Sequence, residues 1–389
     1  MGASYSLPSK GSPTVPGQRN DDLTITGMGT EWPSKLVGPG EFRDLALKHY
    51  PEDAPWLQEL LKVNGKTGIQ SRAMLDVWSD PRWNRDEPPG ADEVDEAFRQ
   101  YGAELAEQAA RKALSDSNIS PSSITHVVAV TATNAGSPGY DQLVVRRLGI
   151  APTAERILLA GAGCSGGLAA LRAASDLAMA ASLRGKEARV LVIACEICSI
   201  QVRCELHASA TYQNGSIGPV LFGDGASALV LCNSHGMAKN APRLFTIVDR
   251  RSEIMPEGFD DMSYRVSRHG FLLKLSKNVP ALTAAAVREP FQSLTNANGM
   301  GLLSPSSFDW ALHPGGLAII KGVQKSMDLP DDAVRASNEI YKTRGNTSSV
   351  AVLAVLDRLR SMEKGKKDVI ACSVGPGLVV EMALLKRVC

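Results

Sequence analysis

The amino-acid sequence predicts an α/β protein with a largely parallel sheet, duplicated within one chain. Three observations carry this prediction. Strand-type apolar runs alternate with helical stretches from residue 22 onward. Two glycine-marked turns lead into helices, at "GAGCSGGLAALRAA" (161–174) and "GNTSSVAVLAVLDRL" (345–359). Two further glycine turns, "FGDGA" (222–226) and "GPG" (375–377), each bend a pair of strands late in their half.

Residues 1–21 are rich in Ser, Pro and Gly and read as a flexible tail. "DLTITGMGT" (22–30) is a short strand. Residues 95–116 place Phe98, Leu105, Ala109 and Leu114 at helical spacing. "ITHVVAVTAT" (124–133), "RILLAGAG" (156–163) and "ARVLVIACEI" (188–197) are buried strands. In the second half, "FDWALHPGG" (308–316) runs from a strand toward the helix "LAIIKGVQKSM", and 368–385 is a hairpin turning on Gly375-Pro376-Gly377. The order of elements divides the chain into an N-terminal half, 22–235, and a C-terminal half, 236–389.

Composition excludes several classes. Hydrophobic residues make 44% of the 389 and charged ones 21%, an ordinary globular balance. Forty-two Lys and Arg face 41 Asp and Glu, so no charge excess recommends nucleic acid or an anionic membrane. Seven cysteines, at 164, 195, 198, 204, 232, 372 and 389, are odd in number and irregular in spacing, unlike a secreted disulfide framework. The N-terminus has no apolar core of a signal peptide. The longest apolar stretch, 168–183, is interrupted by Arg172 and Asp176, so no membrane span is expected and the location is cytoplasmic. Met1-Gly2 followed by Ser6 fits a myristoylation pattern, which we read as a chance match.

Cys164 sits where a strand turns into a helix. That helix carries a stripe of Leu168, Leu171, Ser175, Ala178 and Ser182. Its free N–H groups and positive dipole end face the sulfur and favour the thiolate. Gly163, Gly166 and Gly167 permit a sharp turn and leave room for an incoming group. A small buried core cysteine is the plainer reading, but the helix start and the flanking glycines favour a nucleophile. Of six histidines only His313 ends a strand, before Pro314-Gly315-Gly316. Asn346 begins a helix at the place that matches Cys164 in the other half. The duplication would bring Cys164, His313 and Asn346 together.

The motifs "GCSGG" (163–167), "LFGDGA" (221–226), "HPGG" (313–316), "GNTSS" (345–349) and "GPGL" (375–378), in this order, resemble the type III polyketide synthases, the chalcone-synthase-like enzymes. The resemblance runs from about residue 22 to the end and is nearer the fungal and bacterial members, because the plant pattern "QGCFAGG" is here "GAGCSGG". It implies the thiolase-like fold, two βαβαβαββ halves in a five-layer αβαβα core, and a homodimer. It implies that Cys164 accepts the acyl group. His313 and Asn346 would then hold the thioester oxygen and stabilise the enolate left when malonyl-CoA loses CO2. A thiolate–imidazolium pair near neutral pH would serve this chemistry. Acyl-CoA and malonyl-CoA are the expected partners, with no metal, flavin or nicotinamide. Phe222 matches the gating phenylalanine of the family, and Gln201, Leu273, Ser348 and Gly377 match pocket positions. Ser137 matches a position that contributes to the partner subunit's cavity. Leu273 stands where plant members carry a second gating phenylalanine, and "SVGPG" (373–377) departs from the plant "GFGPG". Lys62, Lys66 and Arg72 are candidates to receive CoA phosphates.

"CEICSIQVRCELH" (195–207) imitates a zinc knuckle, but we read Cys195 and Cys198 as strand residues pointing to opposite faces, and expect no metal. "GMGT" and "GDGA" lack a phosphate-loop lysine. Three other readings stay open on the residues alone. They are a β-ketoacyl-carrier-protein synthase making one condensation, a cysteine acyl-hydrolase, and a silent binding protein of the same fold. Small residues near the gates suggest a fatty-acyl or β-ketoacyl starter and a pyrone or resorcinol product.

Overall fold

The computed structural model describes residues 23–363 and 365–388. The expected tail 1–21, the myristoylation pattern and Cys389 lie outside the described residues. Eleven strands organise the fold: β1 (Leu23–Glu31), β2 (His126–Val130), β3 (Glu155–Leu159), β4 (Arg189–Glu196), β5 (Gly225–Cys232), β6 (Phe245–Ile254), β7 (Met262–Ser267), β8 (Gly270–Leu275), β9 (Asp309–Leu312), β10 (Asp368–Gly375) and β11 (Val379–Arg387). The helices that matter to the site are α1 (Ala103–Ser117), α2 (Gly166–Leu183), α3 (Ser199–Tyr212), α4 (Gly218–Leu221), α5 (Arg288–Ala297), α6 (Leu317–Met327), α7 (Arg335–Arg344) and α8 (Ser349–Arg360).

Nine strands form one sheet in the order β9-β10-β11-β6-β1-β5-β4-β2-β3. Its two ends repeat one pattern. On one side β2 lies parallel to β4, β4 antiparallel to β5, and β5 antiparallel to β1. On the other β9 lies parallel to β10, β10 antiparallel to β11, and β11 antiparallel to β6. The two sides join where Leu23–Ile25 pairs antiparallel with Phe245–Ile247. The repeat is incomplete at one place. A strand equivalent to β3 is absent among the described residues of the second side, where a 3-10 turn, Asp331–Val334, and α7 follow α6.

Alternating side chains of each buried strand serve two different cores. Val127 and Ala129 of β2, with Leu191 and Ile193 of β4, pack with α1. Val128, Val130, Val190 and Val192 face inward with Leu168, Leu171, Val352 and Leu356 of α2 and α8. Ile370 and Cys372 of β10 face a third cluster with Trp310, Ile320 and Leu294. The layers are therefore helix, sheet, helix pair, sheet, helix, with α1 outside one sheet and α5 and α6 outside the other. The middle pair approaches closely, since a Cβ on Gly167 would stand 2.3 Å from the Ser349 carbonyl oxygen.

Two expectations change. "FGDGA" is not a hairpin bend: β4 and β5 are neighbours, but α3 and α4 lie between them, and 222–224 is the entry to β5. The GPG turn is a hairpin, with Gly375 opposite Val379. The helix expected over 95–116 is three pieces, Ala91–Ala97, a π-turn Phe98–Gly102, and α1. No helix among the described residues is long and apolar enough to cross a membrane.

Candidate active site

Three elements deliver the site. Cys164 lies on one 3-10 turn, Gly163–Ser165, that runs directly into α2. Gly163 has φ +51, a left-handed backbone that favours glycine. His313 follows the last residue of β9, and its N–H donates to the Cys372 carbonyl at 2.8 Å. Asn346 precedes α8 and pairs with Phe222 as an isolated parallel bridge. Its N–H donates to Leu221 O at 3.0 Å, and its carbonyl accepts from the Gly223 N–H at 2.9 Å. One cavity takes Cys164, His313 and Asn346 into its lining, with Phe222, Leu273 and Ser348. The rest of the wall is mostly apolar: Met262, Leu275, Leu312, Ile319, Val374 and Pro376.

The polar groups are held in different ways. The Asn346 carboxamide donates from Nδ2 to Gly315 O at 3.2 Å and accepts the Ser348 N–H at 2.8 Å. Both ring nitrogens of His313 are buried, and among the described residues neither has a hydrogen-bond partner. Burial holds its imidazole far below the usual value, at about 3. Burial pushes the Cys164 thiol up to about 11; hydrogen bonds from Ser348 and Asn346 oppose this, and the charge of Glu196 adds to it. Burial thus favours the neutral thiol and the neutral imidazole over a thiolate–imidazolium pair in the free site. A neutral thiol beside a neutral imidazole still works, because the proton can move as the thiol attacks.

Other expected site residues lie elsewhere. Arg72 does not lie at a phosphate-accessible mouth: it is 2% exposed, and it donates to the Pro219 and Phe222 carbonyls. An apolar bed, with the Phe42 ring 5.2 Å from the guanidinium, takes it out of water. Gln201 does not line this cavity; it is buried on α3, where its Oε1 lies 2.9 Å from a Cβ built on Gly270. Gly377 also stays outside, in the β10–β11 turn, bonded to Met262 O at 3.0 Å. Ser137 is exposed on the loop after β2. Lys62 and Lys66 are exposed, on and just after the helix Pro55–Asn64. Cys198 is not a strand residue; it caps α3 and lines the cavity. Among the described residues no three His, Cys, Asp or Glu side chains are placed to hold a metal.

Sequence reasoning missed Glu196 and Tyr264. Glu196 is wholly buried behind the cavity and accepts from Ala132 N–H at 3.0 Å, Thr133 Oγ1 at 3.0 Å and Ser349 Oγ at 2.5 Å. An acidic residue ending an apolar strand was the available signal. Tyr264 lines the cavity and stacks on Phe271 at 5.0 Å. It lies in a hairpin that no motif marks.

Fold and site together point to a condensing enzyme, its cavity lined by a thiol from one half and an imidazole and a carboxamide from the other. Residues 18–234 match the family model for chalcone and stilbene synthases, N-terminal domain, and 246–389 match the C-terminal domain. The chain belongs to that family, the type III polyketide synthases. It is 41% identical over 383 residues to the type III polyketide synthase pspB of Penicillium soppii, covering 94% of this chain and 96% of that protein. It is 33% identical over 375 residues to the acylalkylpyrone synthase csyB of Aspergillus oryzae, covering 94% of each. The crystal structure of a fungal type III polyketide synthase, ORAS, superposes with TM-score 0.91 at 37% identity, covering 94% of this chain and 100% of that one.

Proposed function

We propose that this synthase loads a fatty-acyl or β-ketoacyl group from CoA onto Cys164, extends it with malonyl-CoA over several cycles, and releases a pyrone or resorcinol-type product. The observation that carries this is the cavity wall. Leu273, Leu275, Met262, Ile319 and Val374 line the space beside Cys164, and aliphatic walls suit an aliphatic chain. The acylalkylpyrone synthase among the relatives supports the same reading.

The steps follow from the chain's own groups. The Cys164 sulfur attacks the starter carbonyl and expels CoA thiolate, while the thiol proton passes to a His313 ring nitrogen. Malonyl-CoA then loses CO2, and the resulting enolate oxygen is held by the imidazole and the Asn346 Nδ2–H. Each positioned donor lowers this barrier by about 3 kcal/mol. The enolate carbon attacks the Cys164 thioester and frees the sulfur for the next transfer. Phe222 gates the way in, and Leu273 and Ser348 shape the pocket. Lys62 and Lys66 meet the CoA phosphates. No cofactor takes part.

The working unit is a homodimer. Strand β3 is an outer edge of the sheet with Ile157 37% and Leu158 36% exposed, an edge suited to pairing with a second copy. A Cβ on Gly139 would stand 2.3 Å from Leu158, so the Ser137 loop adjoins that edge and would reach the partner.

Mass spectrometry of products from malonyl-CoA and a panel of acyl-CoA starters tests the proposal. Aliphatic starters should give products carrying two or more malonyl units. Acceptance of aromatic starters alone would refute the starter assignment, and a single condensation would refute the iterative one.

A further inference from the structure

Arg72, anticipated as a surface phosphate ligand, occupies instead a buried junction below the gate. Its Nη1 donates to Phe222 O at 2.9 Å and to Pro219 O at 2.5 Å. These two carbonyls belong to α4 and to the gate residue that follows it. Among the described residues, no carboxylate pairs with the guanidinium, which lies over the Phe42 ring. The next residues continue the grip: Ala73 O accepts the Asp224 N–H at 2.7 Å, and the Leu75 N–H donates to the Asp224 carboxylate at 2.7 Å. That carboxylate also takes the Ser199 N–H at 2.8 Å and the Ser199 hydroxyl at 2.6 Å, at the start of α3. On its other side the 221–223 segment grips Asn346 through two backbone bonds. Gly345, one residue earlier, meets the Arg72 side chain directly, at 2.8 Å from a built Cβ to Cγ.

We propose that Arg72 is a positioning residue: through the Pro219 and Phe222 carbonyls it fixes the gate segment, and through the Phe222–Asn346 bridge it fixes the carboxamide that meets the substrate oxygen. Both bonds leave from one nitrogen, Nη1, which the planar guanidinium lying over Phe42 holds between the two carbonyls, an orientation that a lysine ammonium on its flexible stem does not keep. At hydrogen-bond range the charge is held by carbonyls, and the Asp224 carboxylate, which grips the same segment, favours it from farther off. The proposal rests on the assignment of Asn346 to the oxygen-holding role.

The test compares wild type with Arg72→Lys and Phe42→Leu. Phe42→Leu keeps every hydrogen bond and removes only the ring under the guanidinium. Rates are measured with malonyl-CoA and with malonyl-N-acetylcysteamine, which lacks the nucleotide phosphates. Amide hydrogen exchange is followed at Gly223 and Asn346. We expect Arg72→Lys to lower kcat for CO2 release by about 10- to 100-fold with both thioesters alike. KM for malonyl-CoA should stay within about threefold, and the starter-length distribution should broaden. Exchange at Gly223 and Asn346 should quicken while the β2 and β4 amides keep their protection. Phe42→Leu should move the same readouts in the same direction, by less. A rise in KM confined to malonyl-CoA with kcat unchanged would overturn the proposal and return Arg72 to phosphate binding. Unchanged exchange and product profile in Phe42→Leu, or in a folded Arg72→Lys, would overturn it too. A wild type that releases no CO2 from malonyl-CoA would instead refute the functional reading, and the exchange readout would still decide the positioning of the bridge.

Discussion

Asn346 reaches across the site to Gly315, its Nδ2 donating to that carbonyl at 3.2 Å. The carboxamide is thereby tied to the turn that follows His313. His313 itself has no such tie: among the described residues, both its ring nitrogens are unpartnered. An imidazole left free inside a closed cavity is available to a substrate.

His313→Ala should therefore lower CO2 release from malonyl-CoA by about 10²- to 10³-fold. Alkylation of Cys164 by iodoacetamide should persist in the same variant. Scintillation counting of released CO2, beside mass spectrometry of the alkylated peptide, checks both. Undiminished CO2 release would remove His313 from the mechanism.

The free enzyme should show a high thiol titration. Burial puts the Cys164 thiol at about 11 and the His313 imidazole at about 3. The rate of iodoacetamide alkylation should climb steadily from pH 6 to pH 9, with no plateau marking a preformed thiolate (a window set by the ordinary thiol value of ~8.5). A plateau already reached at pH 7 would contradict the neutral resting pair.

Replacing Leu273 with Trp should narrow the cavity at its β8 wall. Long acyl-CoA starters should lose about 10-fold or more in kcat/KM, and short ones should lose little. Competition between two starter lengths in one reaction reads this directly. Equal losses for both would place the acyl chain elsewhere.

Stability should depend on pH through two buried groups of opposite sign. Glu205, hydrogen-bonded by Ser216, is raised by burial to about 7. Its folded form binds a proton more tightly than the unfolded chain, so stability falls as pH rises from about 4.5 through 7. His313, lowered to about 3, binds its proton less tightly when folded, so stability falls as pH drops from about 6.5 toward 3. Glu205→Gln should flatten the loss on the alkaline side by up to about 3 kcal/mol, visible in urea midpoints measured between pH 5 and 8. An unchanged slope would mean that Glu205 stays charged.

Gly167→Val should destabilise the protein by about 3 kcal/mol or more, because its side chain meets the Ser349 carbonyl where the two central helices touch. Thermal unfolding checks this. Gly40→Ala, at an exposed glycine with open space around it and no left-handed backbone, is the control.

The sequence made some of this plain and hid the rest for physical reasons. Strand runs such as 126–130 and 189–196 were legible because strands buried on both faces are continuously apolar. The meeting of Cys164, His313 and Asn346 in one cavity was legible because each stands at a strand or helix end beside glycines. Arg72 was misread because a basic residue on a short polar stretch looks like any solvated charge. Only the fold reveals the Phe42 ring beneath it and the carbonyls above. The "FGDGA" turn was misread because neighbouring strands need not be consecutive, and here two helices pass between them. Glu196 and Tyr264 were missed because their significance depends on which strand ends meet, which no spacing encodes.

The sulfur stands at the head of α2 and the carboxamide just ahead of α8, the two helices pressed together at the molecule's centre. On the proposed roles, each half of the duplicated chain would be inert without the other, and turnover itself would measure how well the two remain docked. Any solvent, temperature or substitution that loosens that inner seam should silence catalysis before the outer layers register the change.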